Sequence, residues 1–293
     1  VACSGTPGAV HLQIPEDLLK ADVDPETISL HAETECKTFP AFPMGPEPGK
    51  VEELLALFDK AEKPLLVAGG GVNRSCAGPE ITRVAERLNV PLVNTMTGQG
   101  AMPDDHNLAI GVIGDNGFHP HANRALEEAD LVVFIGSKMG SVVTVGWTFP
   151  KITLNKRVVQ IDINPENLAN NFENMLSVAG DAKLVLSHVI DSVPEGFNGA
   201  KHQPWVDHLN TYRANFWSNA DIVLERQDVP LRPERVVKVF NDQLETYGKP
   251  VHILSDAGTP TPYMTRFLRI GDRRTRFVIP RAFGGLGSAI PAV

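Results

Sequence analysis

Four short stretches of this sequence carry residues suited to holding a phosphorylated ligand. They are Gly69-Gly70-Gly71, Thr95-Met96-Thr97-Gly98-Gln99-Gly100, Gly136-Ser137-Lys138-Met139-Gly140-Ser141 and Asp162-Ile163-Asn164-Pro165. Glycine lets backbone N–H groups come close to a phosphate, hydroxyls and a lysine add donors and charge, and an acidic residue after a late strand suits a ribose hydroxyl. Glycine also serves simply to make a strand-to-helix turn, so each loop alone says little and the series says more. Gly69 and Gly71 fit the start of a dinucleotide fingerprint, but Arg74 stands where its third glycine belongs, which speaks against an ordinary dehydrogenase. His106, His119 and His121 have no helical metal-ligand spacing and are read as ordinary loop histidines, with no metal site assigned. Asp104-Asp105 is read as a solvated turn, and no Gly-x-Ser-x-Gly elbow supports hydrolase chemistry.

These stretches need a scaffold that brings them to one edge, and the flanking pattern supplies it. From about residue 51 to 190, helical and strand signals alternate, the signature of a parallel sheet covered by helices. Val51, Leu54, Leu55 and Phe58 make one helix face, and Ile81, Val84, Ala85 and Leu88 make another. Residues 122–129 read as a third helix, and Ala182, Val185, Leu186 and Val189 mark a fourth. The strands are PLLVA at 64–68, VPLVN at 90–94, LVVFI at 131–135 and RVVQIDI at 157–163. In an open parallel sheet, ligands bind outside the carboxyl ends of the strands, where all four stretches fall. The fold class is therefore α/β, a doubly wound parallel sheet of Rossmann-like kind, followed by the start of a second α/β unit.

The predicted divisions are a tail and linker over 1–45, the doubly wound domain over 46–192, a linker over 193–231 and the incomplete second unit over 232–293. The first holds one strand candidate, AVHLQI at 9–14; the linker holds one helix around 205–217; the last opens with a helix at 233–245 and a strand at 251–256. The chain begins at Val1 without methionine and ends in AFGGLGSAIPAV, which reads as the opening of a helix, so it is read as a piece cut at both ends.

Composition narrows the roles. The 293 residues are 42% hydrophobic and 21% charged, with a net charge of -8, so no basic footprint invites nucleic acid or anionic lipid. No apolar run approaches the roughly 18 residues of a membrane-spanning helix, and the start lacks a signal-peptide pattern. The cysteines Cys3, Cys36 and Cys76 form no C-x-x-C pair and suit a reducing, cytoplasmic setting.

At this point the residues carry a resemblance. KPLLVAGGGV, PLVNTMTGQGAMPDDHNLAIGVIGDNG, EADLVVFIGSK, RVVQIDINPENLANN and VAGDAKLVL follow, in order and spacing, the middle domain of acetolactate synthase and its thiamine-diphosphate-dependent relatives. TPGAVHLQIPEDLL resembles the last strand of that family's pyrimidine-binding domain, and LSDAGTPTPY with AFGGLGSAIPA resembles the opening of its diphosphate-binding domain. The resemblance implies a middle-domain site at Gly70, Gly71, Met96, Thr97, Gly98, Gly136, Ser137, Lys138, Asp162, Ile163 and Asp181. The synthases bind FAD there through an arginine followed by two aspartates, which this chain lacks; related decarboxylases bind ADP or leave the site empty.

For the second unit the resemblance implies that Gly258, Thr259 and Thr261 touch the diphosphate, although the synthases carry Gln and His in that loop. It further implies that the Gly284 carbonyl accepts a hydrogen bond from the cofactor's amino group and that Leu286 is the apolar wedge that bends the cofactor. The activity so implied is decarboxylation of a 2-oxo acid with carboligation or acyl transfer, the cofactor ring taking up the electrons as carbon dioxide leaves. Thiamine diphosphate and Mg would need regions outside this chain, so the fragment itself is expected to be inactive and the whole protein a homodimer or homotetramer. The competing expectation is a non-catalytic module that binds ADP or a dinucleotide.

Overall fold

The structure is a computed structural model, and it describes residues 2–29, 31, 33–38, 40–151, 156–272, 274–280 and 284–291. Its centre is a six-stranded sheet of β1 (Pro64–Ala68), β2 (Leu92–Asn94), β3 (Ala109–Val112), β4 (Leu131–Ile135), β5 (Arg157–Asp162) and β6 (Leu176–Ala179). The order is β3-β2-β1-β4-β5-β6 and every neighbouring pair is parallel. The order reverses between β1 and β4, which opens a crevice at their carboxyl ends.

Alternation along the central strands explains why they read as unbroken apolar runs. Leu66 and Ala68 face one helix layer while Leu65 and Val67 face the other, so both sides of β1 are buried. The first layer holds α2 (Lys50–Lys60), α4 (Gly78–Leu88) and α6 (Ala182–Ser192). Val51, Leu54, Leu55 and Phe58 of α2, Ile81, Val84, Ala85 and Leu88 of α4, and Val185, Leu186 and Val189 of α6 are all buried there. The second layer holds α5 (Pro120–Glu128) and the first half of α7 (Gln203–Leu224), packed through Ala122, Leu126, Trp205 and Leu209. A five-residue turn, α3 (Gly70–Arg74), follows β1.

The segment expected to be a linker is mostly α7, a helix of 22 residues. Its apolar periodicity is weak because its two halves bury different faces. Trp205 and Leu209 pack on the sheet, and the Trp205 indole N–H donates to the Pro64 carbonyl at 3.0 Å. Ala220 and Leu224 instead join a separate core with Val237, Ile253, Phe267, Leu268, Ile270 and Phe277. That core belongs to α8 (Pro233–Tyr247), β7 (His252–Leu254), α9 (Pro260–Phe267) and β8 (Arg276–Val278), with β7 and β8 parallel.

The strand expected at 9–14 is absent. Val10, Leu12 and Ile14 are exposed in irregular backbone, and a lone extended segment has no ladder to join. The nearest regular element is the single turn α1 (Glu16–Leu19). Residues 3–4 instead lie beside Ala41, whose N–H donates to the Cys3 carbonyl at 2.9 Å.

Two further expectations are corrected. His119 and His121 are buried at the start of α5, with rings stacked 5.2 Å apart, rather than lying in an open loop. Asp104 is not a solvated turn: its carboxylate accepts the Ile270 N–H at 2.7 Å, and its own N–H donates to the Ile270 carbonyl at 2.9 Å. Together with the Gln99 side chain, which donates to the Thr265 carbonyl at 3.1 Å, these contacts seat α9 and the residues after it against the loops of the sheet. No helix among the described residues is long and apolar enough to cross a membrane.

Candidate functional site

The crevice at the β1/β4 switch point is a cavity of about 300 Å³. Its lining includes Gly70, Gly71, Thr97, Gly136, Ser137, Lys138, Asp162, Ile163 and Asp181, nine of the eleven residues expected at the middle-domain site, together with Thr95 and Gly140 of the same stretches. Met96 and Gly98 do not line it. Met96 is buried, and a Cβ on Gly98 would sit 2.0 Å from the Ala68 carbonyl oxygen, so this glycine is needed for loop packing.

The other glycines act in the same way. A Cβ on Gly71 would lie 2.6 Å from the Gly136 Cα, and Gly136 itself has φ +61. The loops after β1 and β4 thus touch backbone to backbone, fixed by the Gly71 N–H donating to the Gly136 carbonyl at 2.9 Å. Asn73 ties the same turn to the β2 loop by donating to the Thr97 and Gln99 carbonyls at 3.0 and 2.9 Å.

The two acids differ in what they do. Asp181 caps α6: its Oδ1 accepts the N–H groups of Lys183 and Leu184 at 3.0 and 3.2 Å. Burial raises its pKa above the ordinary carboxylate value against the pull of those two bonds. Asp162 is also buried, and its Oδ1 accepts from the Asn164 N–H at 2.9 Å and the Asn167 side chain at 3.0 Å. Both bonds fall on Oδ1.

Sequence reasoning missed part of the wall. Arg74, Ser75 and Asn167 line the cavity, and so do Gly5, Thr6, Pro7 and Pro40 from the first forty residues. The loop residues could have been found by extending each strand end by a few positions. The N-terminal ones carry no local signal, since only the fold brings them across.

The second cluster lies beyond β7. The Asp256 carboxylate accepts from the N–H groups of Gly287 and Ala289 at 3.0 and 2.8 Å and from the Ser288 hydroxyl at 3.2 Å. These bonds, the one from Ala289 foremost, hold its pKa below the ordinary value. Leu286 is thereby held out beside Gly258 and is 79% exposed. Gly284 has φ +66 and is exposed. Gly258 and Thr259 are exposed too, but Thr261 is turned inward, its hydroxyl donating to the Asp256 carbonyl at 3.0 Å and its N–H to the Gly258 carbonyl at 3.1 Å. Pro260 and Pro262 have no N–H to offer.

Comparison with known proteins then bears on both clusters. Residues 51–189 match the thiamine pyrophosphate enzyme central domain. This stretch is such a central domain. Across its whole length the chain is similar to the probable acetolactate synthase large subunits of Methanocaldococcus jannaschii, at 28% identity over 48% of that protein, and of Methanococcus aeolicus, at 26% over 49%. It is also similar to the glyoxylate carboligase of Escherichia coli O157:H7, at 26% identity over 99% of this chain and 46% of that protein. The chain spans about half the length of the curated relatives it matches.

The central domain contains every loop of the cavity apart from its N-terminal wall. The cluster around Asp256 and Leu286 lies outside the central domain, in the part covered by the whole-length relatives.

Proposed function

We propose that the protein to which this chain belongs is a thiamine-diphosphate- and magnesium-dependent enzyme that decarboxylates a 2-oxo acid and transfers or ligates the remaining acyl unit. The observation that carries this reading is the similarity of the chain, over 99% or more of its length, to acetolactate synthases and glyoxylate carboligase. The residues present also fit the cofactor. An apolar side chain held in the open by Asp256, beside an exposed glycine and threonine, suits a ligand with a ring at one end and a diphosphate at the other.

When bound, thiamine diphosphate supplies the electron sink for loss of carbon dioxide. Gly258 and Thr259 would meet its diphosphate through backbone N–H groups and one hydroxyl. Thr261, whose hydroxyl and N–H already have acceptors, would support the loop from behind. Leu286 would pack against the ring system, and Gly284 would accept a hydrogen bond from it. The central-domain cavity would hold an ADP-sized or FAD-sized nucleotide, with Asp162 placed for a ribose hydroxyl. In this reading residues 1–45 are a tail and linker, 46–192 the central domain, 193–231 a connecting segment and 232–293 the start of the diphosphate-binding domain. The whole protein would be a cytoplasmic homodimer or homotetramer.

A second reading is a nucleotide-binding module without catalysis, favoured by Pro260 and Pro262 in the expected diphosphate loop and by a cavity built within this chain. Carbon dioxide release by the full-length protein from a panel of 2-oxo acids, with and without thiamine diphosphate and Mg, separates the two. Release that needs both additions is expected. A well-folded full-length protein that binds ADP yet neither binds thiamine diphosphate nor releases carbon dioxide would leave the second reading standing.

A further inference from the structure

The backbone donors that a glycine-rich turn would offer a phosphate are already committed in the central-domain cavity. The Gly69 N–H donates to the Ile135 carbonyl at 2.8 Å, Gly71 to Gly136 at 2.9 Å, Val72 to Gly69 at 3.1 Å and Gly136 to Ile161 at 2.8 Å. From Gly69 to Val72, only the Gly70 N–H has no acceptor among the described residues. The hydroxyls are partly committed as well. Ser75 donates to the Gly71 carbonyl at 3.0 Å, and Thr95 accepts the Gly98 N–H at 3.1 Å while sharing a bond with Thr97 at 3.2 Å. Glycine here serves loop-to-loop contact, and the turn is not an amide cradle.

Beside the Gly70 N–H and the remaining hydroxyl capacity, side-chain charge is left to meet a phosphate. Arg74 and Lys138 are exposed, line the cavity and have no carboxylate partner among the described residues. They stand on the loops after β1 and β4, one on each side of the switch point. Neither nearby acid is paired with them among the described residues: Asp181 caps a helix and Asp162 accepts from Asn164 and Asn167. A guanidinium presents a planar fork that matches two phosphate oxygens, whereas an ammonium acts as a point charge. We propose that Arg74 is the residue by which this cavity recognises the phosphates of a nucleotide, with Lys138 as the weaker second cation. The proposal rests on the reading of the cavity as a nucleotide site and adds which group selects for the phosphates.

Calorimetric titration of the full 293-residue chain with ADP, with FAD and with adenosine tests it, using the wild type, Arg74→Ala, Arg74→Lys and Lys138→Ala. Arg74 is exposed, so its removal leaves the core intact. For Arg74→Ala, ADP affinity should fall roughly tenfold or more, the scale of a lost charge-assisted pair, while adenosine affinity stays put. Arg74→Lys should recover part of the loss, and Lys138→Ala should lose less than Arg74→Ala. ADP binding equally to wild type and Arg74→Ala would overturn the proposal while the nucleotide reading stands. A wild-type chain that binds none of ADP, FAD and adenosine would overturn that reading and the proposal with it.

Discussion

Among single residues, Asp104 shows how burial and hydrogen bonding oppose each other. It exchanges two hydrogen bonds with Ile270, and an Arg213 guanidinium N–H donates to its carbonyl at 2.9 Å. Burial outweighs the bond from Ile270 and the field of Arg213 and lifts its pKa from 3.8 to about 6. A folded pKa above the unfolded one means that the native state holds an extra proton between those values. The stability from this group is therefore complete below about pH 3.8 and lost as pH rises through about 6. His119 and His121 run the other way, since burial lowers them to about 3 and about 4. Their contribution is present above about pH 6.5 and is lost as pH falls through those folded values. The His119 bonds agree with a neutral ring: Nδ1 accepts the Val112 N–H at 3.0 Å, and Nε2 donates to the Arg266 carbonyl at 2.6 Å. Asp104→Asn keeps an oxygen for the Ile270 N–H and removes the charge. In thermal melts it should be at least as stable as wild type near about pH 7.5, with its advantage shrinking toward about pH 4. A deficit that grows with pH would show that the charged form is the favoured one.

At the scale of elements, α6 carries the sharpest prediction because one carboxylate serves its first turn. Asp181→Ala removes the acceptor for two N–H groups and should cost about 1 kcal/mol, read from the denaturant midpoint. Asp181→Asn, which keeps an acceptor oxygen, should cost much less and leave nucleotide affinity unchanged. A large affinity loss with unchanged stability would make Asp181 a ligand contact and not a cap. The same elements show what the sequence makes legible. PLLVA and LVVFI coincide with β1 and β4 because each is a short apolar run buried on both faces. β3 was hidden in what reads as a loop because Gly111 interrupts it at φ +136, where a Cβ would lie 2.3 Å from the His119 ring. β6 is four residues with only alternate ones buried, too short for a period to declare itself. The strand-end glycines were visible as positions. Their partners were not, because Gly71 meets Gly136 through a fold-level contact between loops far apart in sequence.

For the whole molecule, the cavity's N-terminal wall is the part least expected from the sequence. Gly5, Thr6, Pro7 and Pro40 close over the strand ends, yet few bonds hold them there. Ala41 donates to the Cys3 carbonyl at 2.9 Å and is 3% exposed, and Asp181 donates its N–H to the Met44 carbonyl at 2.8 Å. Between those anchors Val10, Leu12, Ile14, Leu18, Leu19, Val23 and Ile28 lie exposed, so the intervening chain adds little to its own placement. A ligand that fills the cavity would touch both this wall and the loops of the sheet, and binding to the folded state alone stabilises whatever it bridges. At one hundred times its Kd the gain is about 2.7 kcal/mol. Saturating ADP should therefore slow amide hydrogen exchange at residues 2–8 and 40–45 together with 69–75 and 136–140, while 16–29 exchange as before. Protection confined to the sheet loops would mean that the ligand sits deeper than the wall, and that residues 5–7 and 40 border the cavity without closing it.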